Sequence, residues 1–327
     1  MKFLGFVLIL ALLAGGAVAY FVYLPFGPAS ETFVDIPTGS GTAGIAGRLE
    51  QGGIIRSHVA FEVIRKLEGG TLHAGEYRFD HPATLREVYA RIVKGDVYTR
   101  SLVIPEGYNI FDIAQAVERA GLGSATAFLA AERANTALIS DMSASPASLE
   151  GFLFPDTYRF SRHTSPAQML AVMVRRFRQE AAKLNLALTP DLARTVTLAS
   201  LVEKEVRVDA ERPVVAGVFV NRIADGMPLA TDPAVIYAAL LEKRWRGTIY
   251  QSDLASPSPY NTYKHAGLPP GPIANPGLAA LKAAIHPAQT DYLYFVADAN
   301  GHTRFSVDLA EHARQVQDYR AAEKALP

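Results

Sequence analysis

The amino-terminal segment constrains this chain more than any other part of the sequence. No charged residue occurs between Lys2 and Glu31, and residues 3–26 are a run of 24 almost entirely apolar residues. As a helix, such a run would be about 36 Å long, whereas the hydrocarbon core of a bilayer is roughly 30 Å thick. The sequence therefore predicts that residues 1–27 form a transmembrane anchor.

The charge pattern also predicts an orientation. Lys2 precedes the apolar run, so the positive-inside tendency places the amino terminus in the cytoplasm and residues 28–327 outside it. A cleaved signal peptide is the alternative, because residues 17–19, Ala-Val-Ala, have the small-x-small form of a cleavage site. The anchor is preferred, because the apolar run continues through residues 20–24.

The composition excludes several classes of protein. The chain has 327 residues, with 32 Lys and Arg against 32 Asp and Glu, which argues against nucleic-acid binding through bulk electrostatics. The absence of Cys excludes disulfides, Cys-ligated metals and thiol nucleophiles. The eight His residues form no metal-binding motif, so we predict neither a metal nor a cofactor.

An internal repeat follows the anchor. The turn Pro37-Thr38-Gly39 recurs 68 positions later as Pro105-Glu106-Gly107, and apolar residues before and after the turn match at the same offset. Each copy predicts a strand, a Pro-x-Gly turn, an amphipathic helix and a Gly stop. Helices at 59–67 and 85–93 and a strand at 74–79 complete the prediction. Residues 28–100 are therefore predicted to be a small α+β module of the strand–helix–helix–strand kind.

Residues 101–327 predict a larger, mostly helical domain with short strands. Helices are predicted at residues 125–134, 166–184, 190–206 and 309–324. A hairpin is predicted from strands at 292–297 and 302–306, with its turn at 298–301. The Pro- and Gly-rich segments 227–233 and 256–277 are predicted to be exposed loops at the rim of a cleft. The predicted fold class is α+β.

The helix predicted at residues 190–206 carries an acid on its apolar stripe. We predict that it begins at Thr189, an N-cap followed by Pro190. At about 100° per residue, four side chains fall within a stripe roughly 60° wide. They are Leu192, Val196, Ala199 and Glu203. Burial there disfavours a charged carboxylate, so Glu203 is a candidate general acid, whereas Glu205 joins a different face.

The pattern alone leaves a structural role for Glu203 equally open. The helix ends nearby, and the carboxylate would then pair with a basic residue outside the core. Lys204, Arg207 and Arg212 are the nearest in sequence.

Two other patterns resemble catalytic motifs without their usual context. Residues 39–44 fit the dinucleotide-binding pattern G-x-G-x-x-G, but the matching turn of the second repeat lacks the later glycines. Ser200 and Lys204 are one residue too far apart for the S-x-x-K motif of serine acyltransferases. We therefore predict neither a nucleotide site nor a serine nucleophile.

Polar and aromatic side chains occur in the segments that follow the Glu203 helix. Each could simply stabilise its own loop. Together, amide and aromatic side chains around an acid are typical of a carbohydrate-binding cleft. The residues are Asn221, Asp232, Tyr260, Asn261 and Tyr263.

With these segments the chain resembles the membrane-anchored endolytic murein transglycosylases. The most specific matches are V-E-K-E at 202–205 and S-P-Y-N-T-Y at 258–263. Further matches occur, in the family's order, at 149–158, 218–222, 229–233, 267–270, 273–277 and 286–288. The resemblance covers essentially the whole chain.

The resemblance implies a single-pass enzyme of the inner membrane, with a LysM-like module and a catalytic domain outside the cytoplasm. Such an enzyme cuts nascent peptidoglycan between N-acetylmuramic acid and N-acetylglucosamine and leaves 1,6-anhydro ends. The family's catalytic glutamate is mapped onto Glu203, and association with cell-wall synthases is an expectation from the family alone. Glu150 and Tyr158, from the segment at 149–158, join the candidate substrate-binding residues.

Lytic chemistry needs only one acid, because the substrate's own C6 hydroxyl is the nucleophile. A muramidase-type hydrolase would need a second carboxylate, for which Asp156 and Asp232 are candidates. A non-enzymatic peptidoglycan-binding scaffold is the third possibility.

Overall fold

The computed structural model describes residues 2–186, 191–298 and 301–325. The chain divides into two compact units, Met1–Arg100 and Ser101–Pro327. The first unit begins with helix α1 (Lys2–Val18), which continues into a π-helical segment at Ala19–Tyr23. Among the residues described, no helix combines the length and the apolar character needed to cross a membrane.

The rest of the first unit is the predicted strand–helix–helix–strand arrangement, followed by one more helix. Its elements are β1 (Thr32–Ile36), α2 (Thr42–Gln51), α3 (His58–Glu68), β2 (Gly75–Phe79) and α4 (Leu85–Lys94). β1 and β2 pair antiparallel, with Thr32 opposite Phe79 and Ile36 opposite Gly75. All five elements contribute to one core, in which Leu49, Phe61 and Tyr77 are completely buried.

The second unit is mostly helical. Its strands are β3 (Arg100–Val103), β4 (Thr157–Phe160), β5 (Tyr294–Ala297) and β6 (Thr303–Ser306). Its helices are α5 (Ile110–Arg119), α6 (Ala125–Ala134), α7 (Pro166–Lys183), α8 (Leu192–Glu205), α9 (Arg212–Ala224), α10 (Asp232–Leu241), α11 (Gln251–Leu254), α12 (Leu278–Ile285) and α13 (Leu309–Ala325). β3 pairs with β4, and β5 with β6. The predicted hairpin is therefore present, although residues 299 and 300 of its turn lie outside the described residues.

The repeat predicted from the sequence is confirmed as a structural repeat. β1 and α2 are followed, 68 positions later in the chain, by β3 and α5, and the two helices have equivalent first and last residues. The turn glycines Gly39 and Gly107 have φ angles of +85° and +77°. Only glycine adopts such angles without strain, which explains why the Pro-x-Gly turn recurs.

α8 runs through the core of the second unit. Val196 and Ala199 are completely buried, and the helix packs against α9, α10 and α12. The predicted apolar stripe is therefore confirmed. The predicted start at Thr189 and Pro190 lies outside the described residues. Within them, the side chain of Asp191 accepts a hydrogen bond from the Arg194 N–H and caps the helix.

Four helices, α9 to α12, were not predicted from the sequence. α10 begins at Asp232, within a segment that we had predicted to be an exposed loop, and Pro233 occupies its first turn, where a missing N–H is tolerated. Five of its ten residues are buried, so it lacks the polar face on which recognition by periodicity depends. α12 is only eight residues long, which is too short for a clear periodic signal.

Candidate active site

The last turn of α8 carries two glutamates into different surroundings. Only 5% of the Glu203 side chain is exposed, and its Oε1 lies 3.0 Å from Nη1 of Arg212. Its Oε2 accepts a hydrogen bond of 2.9 Å from the N–H of Gly277, the N-cap of α12. Both side-chain oxygens of Glu203 are therefore engaged by other groups of the protein. Glu203 is thus the internal partner of Arg212, which corrects the expectation that such a pair would lie outside the core.

A third carboxylate, Glu106, approaches the same end of α12. It belongs to the Pro-x-Gly turn of the second repeat, and a Cβ atom on Gly277 would overlap it. Burial raises the pKa of Glu106, and the charge of Glu203 raises it further. In the same turn, the Gly107 carbonyl accepts a hydrogen bond of 3.2 Å from Nζ of Lys204. The sequence analysis missed Glu106, whose only signal is its place in the repeat.

Glu205 lines a cavity of about 380 Å³. Arg222, Asp232, Tyr263 and His312 contribute the other ionisable side chains around it, together with Tyr294. Burial raises the pKa of Glu205 to about 7; the charge of Asp232 acts in the same direction, and Arg222 opposes it. A carboxylic acid that keeps its proton near neutral pH, beside a cavity, has the properties of a general acid.

Asp232 and Tyr263 form a hydrogen-bonded pair in this cavity. The Tyr263 hydroxyl donates to Oδ1 of Asp232 over 2.7 Å. Burial raises the pKa of Tyr263, and the hydrogen bond to Asp232 and its charge add to this, so the phenol remains a donor. The cavity thus contains one carboxyl group that is favoured as the acid, Glu205, and a second, Asp232, that accepts a hydrogen bond from Tyr263.

The end of α9 holds the cavity walls in place. Arg222 donates to the carbonyls of Leu293 and Leu229 over 2.6 and 2.8 Å. The side-chain amide of Asn221 donates to the carbonyls of Thr290 and Tyr292 over 2.6 and 3.0 Å. Asn221, which is predicted to contact substrate, holds the segment that leads into β5 through these bonds.

Comparison with known proteins bears on what this arrangement does. The YceG-like family matches residues 34–318. This chain belongs to the YceG-like family. A crystal structure of a YceG-like protein from Listeria monocytogenes is similar, with a TM-score of 0.57 and 32% identity over 88% of this chain and 99% of that one.

Characterised relatives share a single description. A Bacillus subtilis protein described as an endolytic murein transglycosylase is 33% identical over 335 residues, covering 94% of this chain and 91% of the relative. A Streptococcus pneumoniae (strain R6) protein with the same description is 30% identical over 97% of this chain, which spans 64% of that longer relative.

Three predicted substrate-binding residues of this YceG-like protein are interior. Glu150 is 2% exposed and accepts hydrogen bonds from the Ile110 N–H and the Asn275 amide over 2.9 and 2.7 Å; burial raises its pKa to about 8. Tyr158 is buried and donates to the Phe154 carbonyl. These side chains, like that of Asn261, are buried and make hydrogen bonds within the protein, which stabilise the fold.

In the S-P-Y-N-T-Y segment, some residues stabilise the loop and one lines the cavity. Asn261 is completely buried, and its amide donates to the Leu254 and Ser256 carbonyls over 3.0 and 2.8 Å. Tyr260 packs on Tyr237, with ring centroids 5.2 Å apart. Only Tyr263 of the predicted residues in this segment lines the cavity.

The other candidates lie outside the cavity or in the core. Asp156, proposed as a second carboxylate, pairs with Arg176, whose Nε is 2.6 Å away. Ser200 is completely buried and donates to the Thr197 carbonyl, so it is not a nucleophile. In the described part of the chain, no group of three His, Asp or Glu side chains is arranged to hold a metal ion.

Proposed function

We propose that this YceG-like protein is an endolytic murein transglycosylase that cleaves peptidoglycan strands between N-acetylmuramic acid and N-acetylglucosamine. The observation that carries the proposal is Glu205, an acid with a pKa of about 7 that lines a cavity. The descriptions of the Bacillus and Streptococcus relatives support the same activity.

Glu205 performs both proton transfers in the proposed reaction. Its acid form protonates the glycosidic oxygen, and the bond from C1 of the muramic acid to this oxygen breaks. The resulting carboxylate accepts the proton of the C6 hydroxyl as O6 bonds to C1, which closes the 1,6-anhydro ring and restores the acid. The charge of Asp232 stabilises the cationic character that develops at C1.

This assignment moves the general acid from Glu203 to Glu205. Both oxygens of Glu203 already have partners, Arg212 and the N–H at the start of α12, whereas Glu205 lines a cavity. We propose that Glu203 instead positions the last turn of α8, on which Glu205 lies.

A muramidase-type hydrolase is the second candidate. It is favoured by one observation, the second carboxylate Asp232 beside Glu205 in the same cavity. In that case water, rather than the C6 hydroxyl, would attack the sugar.

Product analysis on purified glycan strands tests these proposals. We expect 1,6-anhydro ends by mass spectrometry, whereas reducing ends would identify a hydrolase and intact strands a binding scaffold. Glu205→Gln should reduce the rate by at least about 10² to 10⁴, because the amide cannot cycle a proton. If Glu205→Gln remains active while folded Glu203→Gln is inactive, the acid is Glu203.

We also propose that the apolar start of the chain anchors residues 28–327 outside the cytoplasm, as a single-pass protein of the inner membrane. The apolar run and Lys2 support this proposal. Residues 28–100 would be a LysM-like module and residues 101–327 the catalytic domain, with cell-wall synthases as partners.

The first unit holds its amino-terminal segment firmly. Nη1 of Arg56 donates to the Leu24 carbonyl over 2.7 Å, and its guanidinium lies 4.7 Å from the ring centroid of Tyr20 and 4.8 Å from that of Phe26. Such contacts would fix the position of a membrane anchor relative to the module at residues 28–100.

A further inference from the structure

The closing helix α13 contributes to the cavity that Glu205 lines. Leu309 and His312, three residues apart and therefore on one helix face, both line it. The ring of His312 stacks on Tyr294 of β5, with centroids 5.3 Å apart and planes inclined by 24°. An imidazole from the end of the chain is thus held beside Glu205 and Asp232.

This imidazole has an unused hydrogen-bonding atom. Nδ1 of His312 is buried and has no hydrogen-bond partner within the described residues. An unpaired buried N–H is costly, so the proton of the neutral ring belongs on Nε2, and Nδ1 remains a buried acceptor. The proposed reaction assigns His312 no task.

Burial of His312 and a nearby positive charge both disfavour the charged form of its ring. Burial lowers its pKa, and the positive charge of Arg222 on α9 lowers it further. The other ionisable groups that line the cavity are Glu205 on α8, Asp232 on α10, Tyr263 in the following loop and Tyr294 on β5. With the proton on Nε2, the buried Nδ1 is an acceptor rather than an unpaired N–H.

Because Nδ1 is buried, the neutral imidazole offers a ligand one group, the Nε2–H donor, which matches the oxygen of a sugar hydroxyl or of an acetamido group. We propose that His312 binds the substrate sugar through such a hydrogen bond, so that α13 is part of the active site. This inference rests on the proposed function and adds a substrate-binding residue to it. Ring stacking on Tyr294 holds the imidazole in place, so the bond can form without reordering the side chain.

Two substitutions separate hydrogen bonding from packing. His312→Phe keeps a ring on Tyr294 but removes both polar atoms, whereas His312→Gln loses the ring and keeps a donor and an acceptor. The affinity for isolated glycan strands is measured in an otherwise Glu205→Gln chain, so that cleavage does not interfere. We expect His312→Phe to weaken binding about 3- to 10-fold and His312→Gln to weaken it less.

Arg314→Gln, at an exposed position of the same helix, is the matched control and should leave the affinity unchanged. Equal affinity of His312→Phe and its parent would overturn the proposal. So would a larger loss in His312→Gln than in His312→Phe, because packing alone would then explain the effect, or an equal loss in Arg314→Gln.

A measurement on the unmodified chain tests the proposal even if the variants fail to fold. The ¹⁵N shift of the His312 ring nitrogens should change when a soluble muramic-acid disaccharide is added, and an unchanged shift at saturation would overturn the proposal. The activity of Glu205→Gln is measured in a separate experiment. Full activity of this variant would reject Glu205 as the acid. The affinities of the His312 variants, measured again at low temperature, would still decide the proposal for His312.

Discussion

At the scale of single residues, the main contrast is between two glutamates that are two positions apart on α8. Both oxygens of Glu203 are held by Arg212 and by the N–H of Gly277. Burial of Glu205, together with the nearby charge of Asp232, raises its pKa and favours the acid. The same side chain is therefore expected to hold structure at one position and to donate a proton at the other.

The pH dependence of cleavage should follow Glu205. Its acid form is required, so kcat/KM should fall as the pH rises through about 7. Asp232→Asn removes a charge that raises the Glu205 pKa, and should therefore move this alkaline limb to lower pH by about one unit. Asp225→Asn, at an exposed carboxylate after α9, is the control and should leave the limb in place. An unmoved limb in Asp232→Asn would contradict the coupling.

Stability should respond to the same group with a defined sign. The pKa of Glu205 is about 7 in the folded chain and about 4.5 when unfolded, so its contribution to stability is fully present below pH 4.5 and is lost as the pH rises through 7. Glu205→Gln should consequently be more stable than the parent at pH 8, by on the order of 2 kcal/mol, with little difference at pH 4.5. Thermal melts at the two pH values provide the measurement.

Glu203→Gln should show the opposite behaviour. It leaves the buried guanidinium of Arg212 without its main counter-charge and should lower stability at pH 8 by roughly 3 kcal/mol. Equal melting temperatures of Glu203→Gln and Glu205→Gln at pH 8 would argue against distinct roles for the two residues.

At the scale of elements, close packing of α9 against the segment before β5 shapes the cavity. Gly217 lies within α9, where a Cβ atom would overlap the carbonyl oxygen of Ala288 and approach Cγ2 of Thr290 to 2.9 Å. The Ala288 N–H also donates to the Pro213 carbonyl over 2.8 Å. The segment leads directly into Tyr294 and Phe295, which line the cavity. The position of this wall therefore depends on a glycine.

Gly217→Ala should lower the free energy of unfolding by about 1 to 3 kcal/mol, although alanine is the better helix former. It should also reduce cleavage, because the segment before β5 must shift. Gly47→Ala, within α2 and with no atom near the added methyl group, is the matched control and should stabilise by about 0.5 to 1 kcal/mol. Urea denaturation of both variants measures the free energy of unfolding. An unchanged value for Gly217→Ala would show that the segment before β5 can shift without loss of stability.

At the scale of the whole molecule, half of the exposed large apolar side chains of the described residues lie at the start of the chain, between Phe6 and Phe26. Beyond it, both units have their own cores, so each has the means to stay folded without the apolar segment. In the proposed arrangement, the amino-terminal segment determines where the enzyme works and the second unit determines what it does.

A chain that begins at Glu31 should remain in solution without detergent and should still cut isolated glycan strands, because no long apolar run follows residue 30. Ultracentrifugation and the product assay together provide the test. Aggregation of this shortened chain under all solvent conditions would count against a single amino-terminal anchor.

Local patterns in the chain were sufficient for much of this description. The repeat, the bounds of α6 and the buried stripe of α8 follow from periodicity and turn residues, which act within a few positions of one another. Periodicity also showed that Glu203 and Glu205 lie on different faces, but it could not show which of them keeps a proton. That depends on Arg212, Gly277, Asp232 and Arg222, whose distances from α8 are determined only by tertiary packing. Helix α10 was missed because it is apolar on most sides, so that its burial depends on tertiary packing. The motif residues Glu150, Tyr158 and Asn261 were interpreted as substrate contacts, because a motif cannot distinguish side chains that bind a ligand from those that hold its binding site together.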